Sequence, residues 1–205
     1  MQDLIEKIPI DFNTVHWHTS AAIPKCIYSL NEYVYLEHHE GDFTFSIDDV
    51  VESKFTCLYR NYKYKGDKTS VDELISYIIG KLSAISDIEE CQFIIPAPSN
   101  SKEKRFAILI KKLSEKLNLK FMDILTTDLN CKIKNVEVGK RGSMSGFITC
   151  KQNIGEDAKI LLIDDFLETG TTLRECVKAI TEKNPHCEIV PVIFFRKHNT
   201  LKELK

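Results

Sequence analysis

The chain has 205 residues and a formal net charge of -2 at pH 7. This length allows a substantial buried core, and the near-neutral charge gives no general attraction to nucleic acid or anionic membranes. The seven cysteines are odd in number and form no CxxC pair, which argues against a disulfide framework or a zinc knuckle. With no signal-peptide region and no apolar stretch long enough to span a bilayer, we expect a cytoplasmic protein without a membrane partner.

The first quarter of the chain is irregular and rich in aromatic residues. Alternating segments separated by polar turns predict short strands at 33–36, 43–47 and 55–59. We expect residues 1–54 to form a small N-terminal hood rich in short strands. Residues 55–205 are then expected to form the core domain.

A polar linker precedes the first predicted helix. The linker, Gly66 to Thr69, lacks the spacing of a P-loop, which argues against an ATPase. Ser70 and Glu73 form a capping-box pattern, and apolar residues at helical spacing predict one buried face. That face consists of Val71, Leu74, Ile75, Ile78, Ile79 and Leu82.

From about residue 90 strands and helices alternate along the chain. This pattern predicts an α/β fold with a central, mainly parallel sheet flanked by helices. Residues 135–157 are rich in glycine and show little periodicity, which predicts a loop with a short strand near Phe147. The other predicted elements are strands at 91–96, 121–125 and 188–195 and a helix over 104–117.

The most informative segment runs from Ile160 to Thr172. Four aliphatic residues predict a strand covered on both faces, and Asp164 and Asp165 stand at its end. Because ligands of open α/β sheets bind beyond the carboxyl ends of strands, this acidic pair can hold vicinal hydroxyls, directly or through a hard cation. The next turn leads into a predicted helix, whose N-terminus can receive a phosphate. This turn contains Glu168, Thr169, Gly170, Thr171 and Thr172.

This run resembles the signature of type I phosphoribosyltransferases, which bind 5-phosphoribosyl 1-pyrophosphate (PRPP). The resemblance implies the fold of that family and a glycosyltransferase (pentosyltransferase) activity. It further implies that Asp164 and Asp165 address the ribose hydroxyls and that residues 168–172 bind the 5-phosphate. Mg²⁺ is the implied cofactor, held through PRPP and by the two aspartates. The strand ending in two acids, taken alone, also occurs in ATPases and receiver domains.

Two further segments are similar to the ComF-like, competence-associated branch of this family. The stretch from Leu58 to Gly66 resembles the Lys-Tyr-x-Gly segment before that branch's first helix, and a basic segment with Lys104 and Arg105 echoes another of its motifs. A rigid turn after the strand at 91–96 resembles the branch's pyrophosphate-binding element. Its residues are Pro96, Ala97, Pro98, Ser99 and Asn100.

The N-terminus departs from the ComF-like pattern because it lacks paired cysteines for zinc. Its histidines have no cysteine or acidic partner at ligand spacing, so we predict no histidine metal site. These histidines are His16, His18, His38 and His39.

The implied reaction replaces pyrophosphate by a nitrogenous acceptor. We predict that Lys140 and Arg141, on a closing loop, neutralise the leaving group. Hypoxanthine-type relatives carry an aspartate at the position of Glu168, and that carboxylate is proposed to act at the purine N7 proton. Glu168 is therefore the candidate catalytic residue for a purine acceptor, together with Asp165. The acceptor itself stays open.

Two alternatives to an enzyme remain. A catalytically silent protein of this fold would bind PRPP or a nucleotide and regulate a partner, although no helix-turn-helix pattern supports it. A ComF-like protein linked to DNA uptake is implied only by that resemblance. A homodimer is expected from family habit, and the sequence gives no direct sign of nucleic-acid binding.

Overall fold

A computed structural model describes residues 5–9, 24, 26–35, 53–99, 104–127, 145–167 and 169–199 of the protein. Within these ranges the strands are β1 (Glu6–Pro9), β2 (Cys26–Tyr35), β3 (Phe93–Pro96), β4 (Lys120–Phe121), β5 (Leu125–Thr127), β6 (Ile148–Cys150), β7 (Lys159–Leu167) and β8 (Glu188–Asn199). The helices are α1 (Lys54–Arg60), α2 (Val71–Leu82), α3 (Arg105–Leu117) and α4 (Thr171–Lys183). A π-helical turn (Asn61–Lys65) continues α1, and a 3-10 turn covers Ser86–Ile88.

The central sheet has the strand order β1-β2-β8-β7-β3-β4. All neighbouring strands in it are parallel except β1 and β2, which pair antiparallel. Two short strands, β5 and β6, form a separate antiparallel pair. The predicted α/β fold with a mainly parallel sheet flanked by helices is confirmed.

Helices cover both faces of the sheet and create two hydrophobic clusters. On one face α1, α2 and α3 pack over Leu161 and Ile163 of β7. On the other face α4 packs over Ile160 and Leu162. Because consecutive side chains of a strand point to opposite faces, the aliphatic run of β7 fills both clusters at once. This double burial fixes β7 at the centre of the fold.

The prediction of a strand at 55–59 is wrong, because these residues lie in α1. Phe55 and Tyr59 are four residues apart and therefore share one face of a helix. Phe55 stacks on Tyr77 with ring centroids 4.9 Å apart, and it also packs against Phe195 at 5.0 Å. The Ser53 hydroxyl caps the helix by accepting a hydrogen bond from the Thr56 N–H. Aromatic residues spaced four apart fit both a strand and a helix, and here they form one packed face of a helix.

Other predicted elements have mixed outcomes. The strands at 91–96 and 188–195 and the helix over 104–117 are confirmed as β3, β8 and α3. The segment 121–125 is divided between β4 and β5. The expected short strand near Phe147 is confirmed as β6.

The linker and capping predictions also differ in outcome. The helix after Ser70 is confirmed as α2, but the capping box is wrong. The Ser70 side chain makes no cap hydrogen bond and donates instead to Asp67 Oδ2 at 3.2 Å. Asp67 accepts from both the Thr69 N–H and the Thr69 hydroxyl, so the linker is a tight turn. The predicted strand 43–47 and the four N-terminal histidines lie outside the described residues.

The two described strands of residues 1–54 lie at one side of the central sheet. β2 pairs in parallel with β8, with Tyr28 opposite Val192, and β1 extends the sheet beyond it. The division into a hood and a core at residue 54 stays a prediction. None of the described helices is long and apolar enough to cross a bilayer.

Candidate functional site

The two adjacent acids lie at the carboxyl end of β7, and the alternation of the strand sends them to opposite faces. Asp164 follows Ile160 and Leu162 on the face covered by α4, whereas Asp165 follows Leu161 and Ile163 toward α1. Each acid therefore meets a different set of neighbours. The two carboxylates are not equivalent.

Asp164 is the buried member of the pair. Its Oδ1 accepts a hydrogen bond from the Asp165 backbone N–H at 2.8 Å. Burial, followed by repulsion from Asp165, raises the pKa of Asp164 to about 7, well above its ordinary value. Burial and the nearby Asp164 carboxylate also raise the pKa of the Cys176 thiol below it on α4. A site with one buried and one partly exposed carboxyl results.

Asp165 is held by one side chain from α1 and one from the π-helical turn that continues it. The Tyr59 hydroxyl donates to Asp165 Oδ2 at 2.8 Å, and the Lys63 ammonium pairs with the same oxygen. Burial, followed by the Asp165 charge, raises the pKa of the Tyr59 phenol well above its ordinary value. The phenol is thus protonated and acts as a hydrogen-bond donor.

The Lys63 ammonium lies among aromatic rings as well as beside a carboxylate. It is 5.6 Å from the Tyr59 ring centroid, 5.5 Å from that of Tyr64 and 5.2 Å from that of Phe166. Rings at these distances attract a cation through their quadrupoles. We call this set of three rings and one carboxylate the Lys63 cage.

The backbone that carries Lys63 is anchored to α3. The Arg105 guanidinium donates to the Lys63 carbonyl at 2.6 Å, and the Tyr62 hydroxyl donates to the Arg105 carbonyl at 2.8 Å. Gly66 ends the π-helical turn with φ of 71°, and a Cβ there would lie only 3.1 Å from the Arg105 guanidinium. The positive φ favours glycine here, and a Cβ would also require the Arg105 side chain to shift slightly.

The predicted phosphate turn directly follows β7. Gly170, with φ of 71°, precedes α4, and the helix begins without a side-chain cap hydrogen bond. The Thr169 and Thr171 hydroxyls lie 2.9 Å apart. The amides of the first turn of a helix lack intrahelical partners and attract anions. Glu168, a predicted catalytic residue, lies outside the described residues.

The predicted pyrophosphate turn lies at the end of the neighbouring strand. Pro96 pairs with Ile163 of β7, and the Ala97 N–H donates to the Ile163 carbonyl at 2.7 Å. Ala97 is buried and Ser99 is exposed. The turn therefore starts beside the acidic pair at the same edge of the sheet. Asn100 is not among the described residues.

The glycine-rich segment predicted as a loop returns to the core beside α4. The buried Glu175 carboxylate accepts hydrogen bonds from the Gly146 N–H at 2.6 Å and from the Arg174 side chain at 3.1 Å. The Lys178 ammonium donates to the Ser145 hydroxyl at 2.9 Å. The predicted loop cations, Lys140 and Arg141, lie in the part of the chain that the structure does not describe.

The carboxyl end of β7 has ligand chemistry that suits a hard cation. Mg²⁺ prefers oxygen ligands and usually binds through one or two carboxylates together with substrate phosphates. Asp165 Oδ2 is occupied by Tyr59 and Lys63, and among the described residues nothing hydrogen-bonds to its Oδ1. The donor set fits Mg²⁺ bound jointly with a phosphorylated ligand. No group of three or more potential ligands from histidine, cysteine or acidic side chains occurs within the described ranges.

Sequence reasoning missed Tyr59 and Lys63 as site residues. Their signal was the spacing of four residues, which places both side chains on one side of a helical turn. The strand assigned to 55–59 concealed that spacing. Both residues lie within the segment that resembles the Lys-Tyr-x-Gly motif.

Comparisons with known proteins bear on the second half of the chain. Residues 104–205 match the family model described as a phosphoribosyl transferase domain. No curated protein matches the chain.

Several solved structures share limited similarity with the chain. Adenine phosphoribosyltransferase from Leishmania tarentolae is 12% identical with a TM-score of 0.44, over 68% of this chain and 76% of its own. The enzyme from Saccharomyces cerevisiae, crystallised with adenine and an imino-altritol bisphosphate, is 17% identical with a TM-score of 0.41, over 63% and 72%. A hypoxanthine phosphoribosyltransferase from Staphylococcus aureus is 16% identical with a TM-score of 0.34, over 62% of each chain.

Proposed function

Because residues 104–205 match the family model of a phosphoribosyl transferase domain, we propose that this protein uses PRPP as donor and transfers its phosphoribosyl group to a nitrogenous acceptor. Such an enzyme is a pentosyltransferase that releases pyrophosphate. We further propose that the acceptor is a purine base and that Mg²⁺ accompanies the donor. The acidic pair is assigned to the ribose hydroxyls.

The observation that carries the proposal is the meeting of three features at one edge of the sheet. These features are the acidic pair at the end of β7, the N-terminus of α4 after Gly170 and the Pro96 turn after β3. Parallel strands bring their carboxyl ends to the same side, where ligands of α/β sheets bind. The three features suit a ribose, a 5-phosphate and a pyrophosphate, respectively.

The charges of the reaction explain why these groups are needed. When pyrophosphate leaves the anomeric carbon, positive charge develops on the ribose and negative charge develops on the leaving group. We assign Asp165 to the ribose side, and the turn after Pro96 and the predicted loop cations to the pyrophosphate side. When bound, Mg²⁺ supplies Lewis-acid stabilisation of the pyrophosphate. The loop residues Lys140 and Arg141 keep their proposed role.

A purine acceptor is proposed from Glu168, which corresponds to an aspartate of hypoxanthine-type relatives. Replacing Glu168 by Gln should lower turnover with the true base while PRPP still binds. Unchanged turnover would exclude this role. We also propose that the chain belongs to the ComF-like branch, because the segment 58–66 resembles a motif of that branch.

Calorimetry with PRPP and Mg²⁺, followed by pyrophosphate release across a panel of bases, tests the proposal. We expect binding of PRPP and release with at least one purine. Asp165→Asn should weaken PRPP binding severely while the fold stays intact, whereas the exposed Asp157→Asn serves as a matched control. Undiminished binding by Asp165→Asn would count against the ribose assignment.

The same experiment separates the enzyme from a sensor. PRPP binding without pyrophosphate release on any base would favour a regulatory protein that keeps the donor site. Failure of the wild-type chain to bind PRPP at all would contradict both readings.

A further inference from the structure

We propose that Tyr59 and Lys63 are positioning residues for Asp165: they hold its Oδ2 so that Oδ1 faces the ribose of the donor. This inference rests on the proposed function, because it assigns a role to residues around the proposed ribose site. It concerns α1 and the π-helical turn after it, which lie outside the region matched by the family model. Neither residue is required to touch the donor.

Both donors converge on one oxygen of the carboxylate. The Tyr59 hydroxyl lies 2.8 Å from Oδ2 and the Lys63 ammonium pairs with the same atom. Among the described residues, none hydrogen-bonds to Oδ1. Two donors on one carboxylate oxygen leave the lone pairs of the other for a ligand. They also fix the rotation of the carboxylate, which alone would be free about its terminal torsion.

Tyr59 is rigid enough to serve as a reference point. Its side chain is 1% exposed and packs edge-on against Phe194 with ring centroids 5.5 Å apart. A buried phenol needs a hydrogen-bond partner, and Asp165 is that partner. We therefore expect the hydrogen bond from Tyr59 to Asp165 to be kept when a ligand binds.

Lys63 is held from three directions. Its ammonium lies in the Lys63 cage, its carbonyl accepts from Arg105, and its backbone lies in a π-helical turn. π-Helical turns are rare and occur frequently at functional sites. Its side chain is 26% exposed and that of Asp165 is 19% exposed, so the pair borders solvent that a ligand can replace.

A purely structural ion pair would not need this arrangement. Partly exposed ion pairs contribute little to stability, and the two donors on Oδ2 leave Oδ1 for a ligand at the border with solvent. A charge-assisted pair that orders a ligand-binding group instead lowers the entropy lost on binding. The geometry thus favours preorganisation of Asp165 over stabilisation of the fold.

The test compares variants by calorimetric PRPP affinity in the presence of Mg²⁺. Tyr59→Phe and Lys63→Met should each weaken binding by about tenfold or more, in keeping with loss of a hydrogen bond to a charged group. Lys63→Arg should restore most of the affinity, since it keeps a donor for Oδ2. Lys65→Met, an exposed lysine on the same turn, is the matched control and should bind like the wild type.

A second readout separates positioning from general damage. With the active base, the KM of the acceptor at saturating PRPP should stay within about twofold of the wild type while the KM of PRPP rises by about tenfold. Urea unfolding shows whether each variant is folded, and Tyr59→Phe keeps the buried ring if Lys63→Met is unstable.

The possible failures are distinguishable. Wild-type protein that does not bind PRPP overturns the proposed function, and this inference with it. If the wild type binds PRPP and both Tyr59→Phe and Lys63→Met bind it with the same affinity, this inference is overturned and the proposed function is not. Loss of affinity that Lys63→Arg does not restore at all would contradict the role of Lys63.

Discussion

The buried Glu175 carboxylate on α4 accepts a hydrogen bond from the backbone N–H of Gly146 at 2.6 Å. Its other oxygen accepts from Arg174, so both oxygens are engaged. The helix that begins at the proposed phosphate turn therefore also anchors the return of the segment proposed to cover the pyrophosphate. One helix therefore connects two parts of the proposed site.

We expect Glu175→Gln to destabilise the protein by about 2 kcal/mol, because a buried guanidinium loses its carboxylate partner. Urea unfolding measures this change. The exposed Glu182→Gln on the same helix is the matched control and should change stability by less than about 0.5 kcal/mol. Equal effects of the two substitutions would contradict the anchoring role of Glu175.

Substitution of two glycines should change stability in opposite directions. Gly170 has φ of 71°, so Gly170→Ala should cost about 1 kcal/mol or more. Gly80 lies in α2 with open space around it, so Gly80→Ala should stabilise the protein by about 0.5–1 kcal/mol. Thermal and urea unfolding of both variants check the prediction, and destabilisation by Gly80→Ala would contradict the α2 geometry.

The raised pKa of Asp164 predicts a pH-dependent stability in protein without PRPP and Mg²⁺. Because the folded pKa of about 7 exceeds the ordinary value of 3.8, the folded state binds the proton more tightly than the unfolded state. This contribution is fully present below about pH 4 and is lost as the pH rises through about 7. The change in the free energy of unfolding caused by Asp164→Asn should therefore be more stabilising at pH 8 than at pH 5. The difference between the two pH values should be roughly 2–4 kcal/mol.

Urea unfolding at several pH values measures this difference. Asp157→Asn, at an exposed position, should leave the pH dependence of the wild type unchanged. If the stability of Asp164→Asn depends on pH in the same way as that of the wild type, the Asp164 carboxyl is not the source of the pH dependence.

Thiol labelling should distinguish the cysteines of the described residues. Cys57 is exposed on α1, whereas Cys26, Cys91, Cys150, Cys176 and Cys187 are buried. Burial raises the pKa of Cys91 to about 12 and that of Cys187 to about 11, which removes the reactive thiolate. With iodoacetamide at pH 8, peptide mass spectrometry should find Cys57 modified first among these six. Faster modification of Cys91 than of Cys57 would contradict the burial of the Cys91 side chain.

The strongly periodic parts of the fold were predictable from sequence. The aliphatic run before Asp164 has one plausible environment, a strand buried on both faces, and the stripe in α2 likewise fits only a helix. The strand predicted at 55–59 failed because Phe55 and Tyr59 satisfy either period, and long-range packing against Phe195 decides between them. Tertiary contacts, which no local pattern contains, selected the helix.

The site was predictable only where its residues are adjacent in sequence. Asp164, Asp165 and Gly170 stand in one run, so the strand end and the turn followed from the pattern. The pairing of Lys63 with Asp165 joins residues far apart in the chain. Such a pairing depends on how α1 and the π-helical turn after it pack across the sheet, and the four-residue spacing of Tyr59 and Lys63 does not specify their partner.

The parallel pairing of β2 with β8 has a consequence for synthesis on the ribosome. Tyr28 of β2 pairs with Val192 of β8, which is translated far later. At roughly 5–20 residues per second, an early strand with an apolar surface waits on the order of ten seconds without its partner. The edge of β2 that pairs with β8 therefore stays unpaired on the nascent chain until β8 has been synthesised, and an unpaired strand edge favours aggregation.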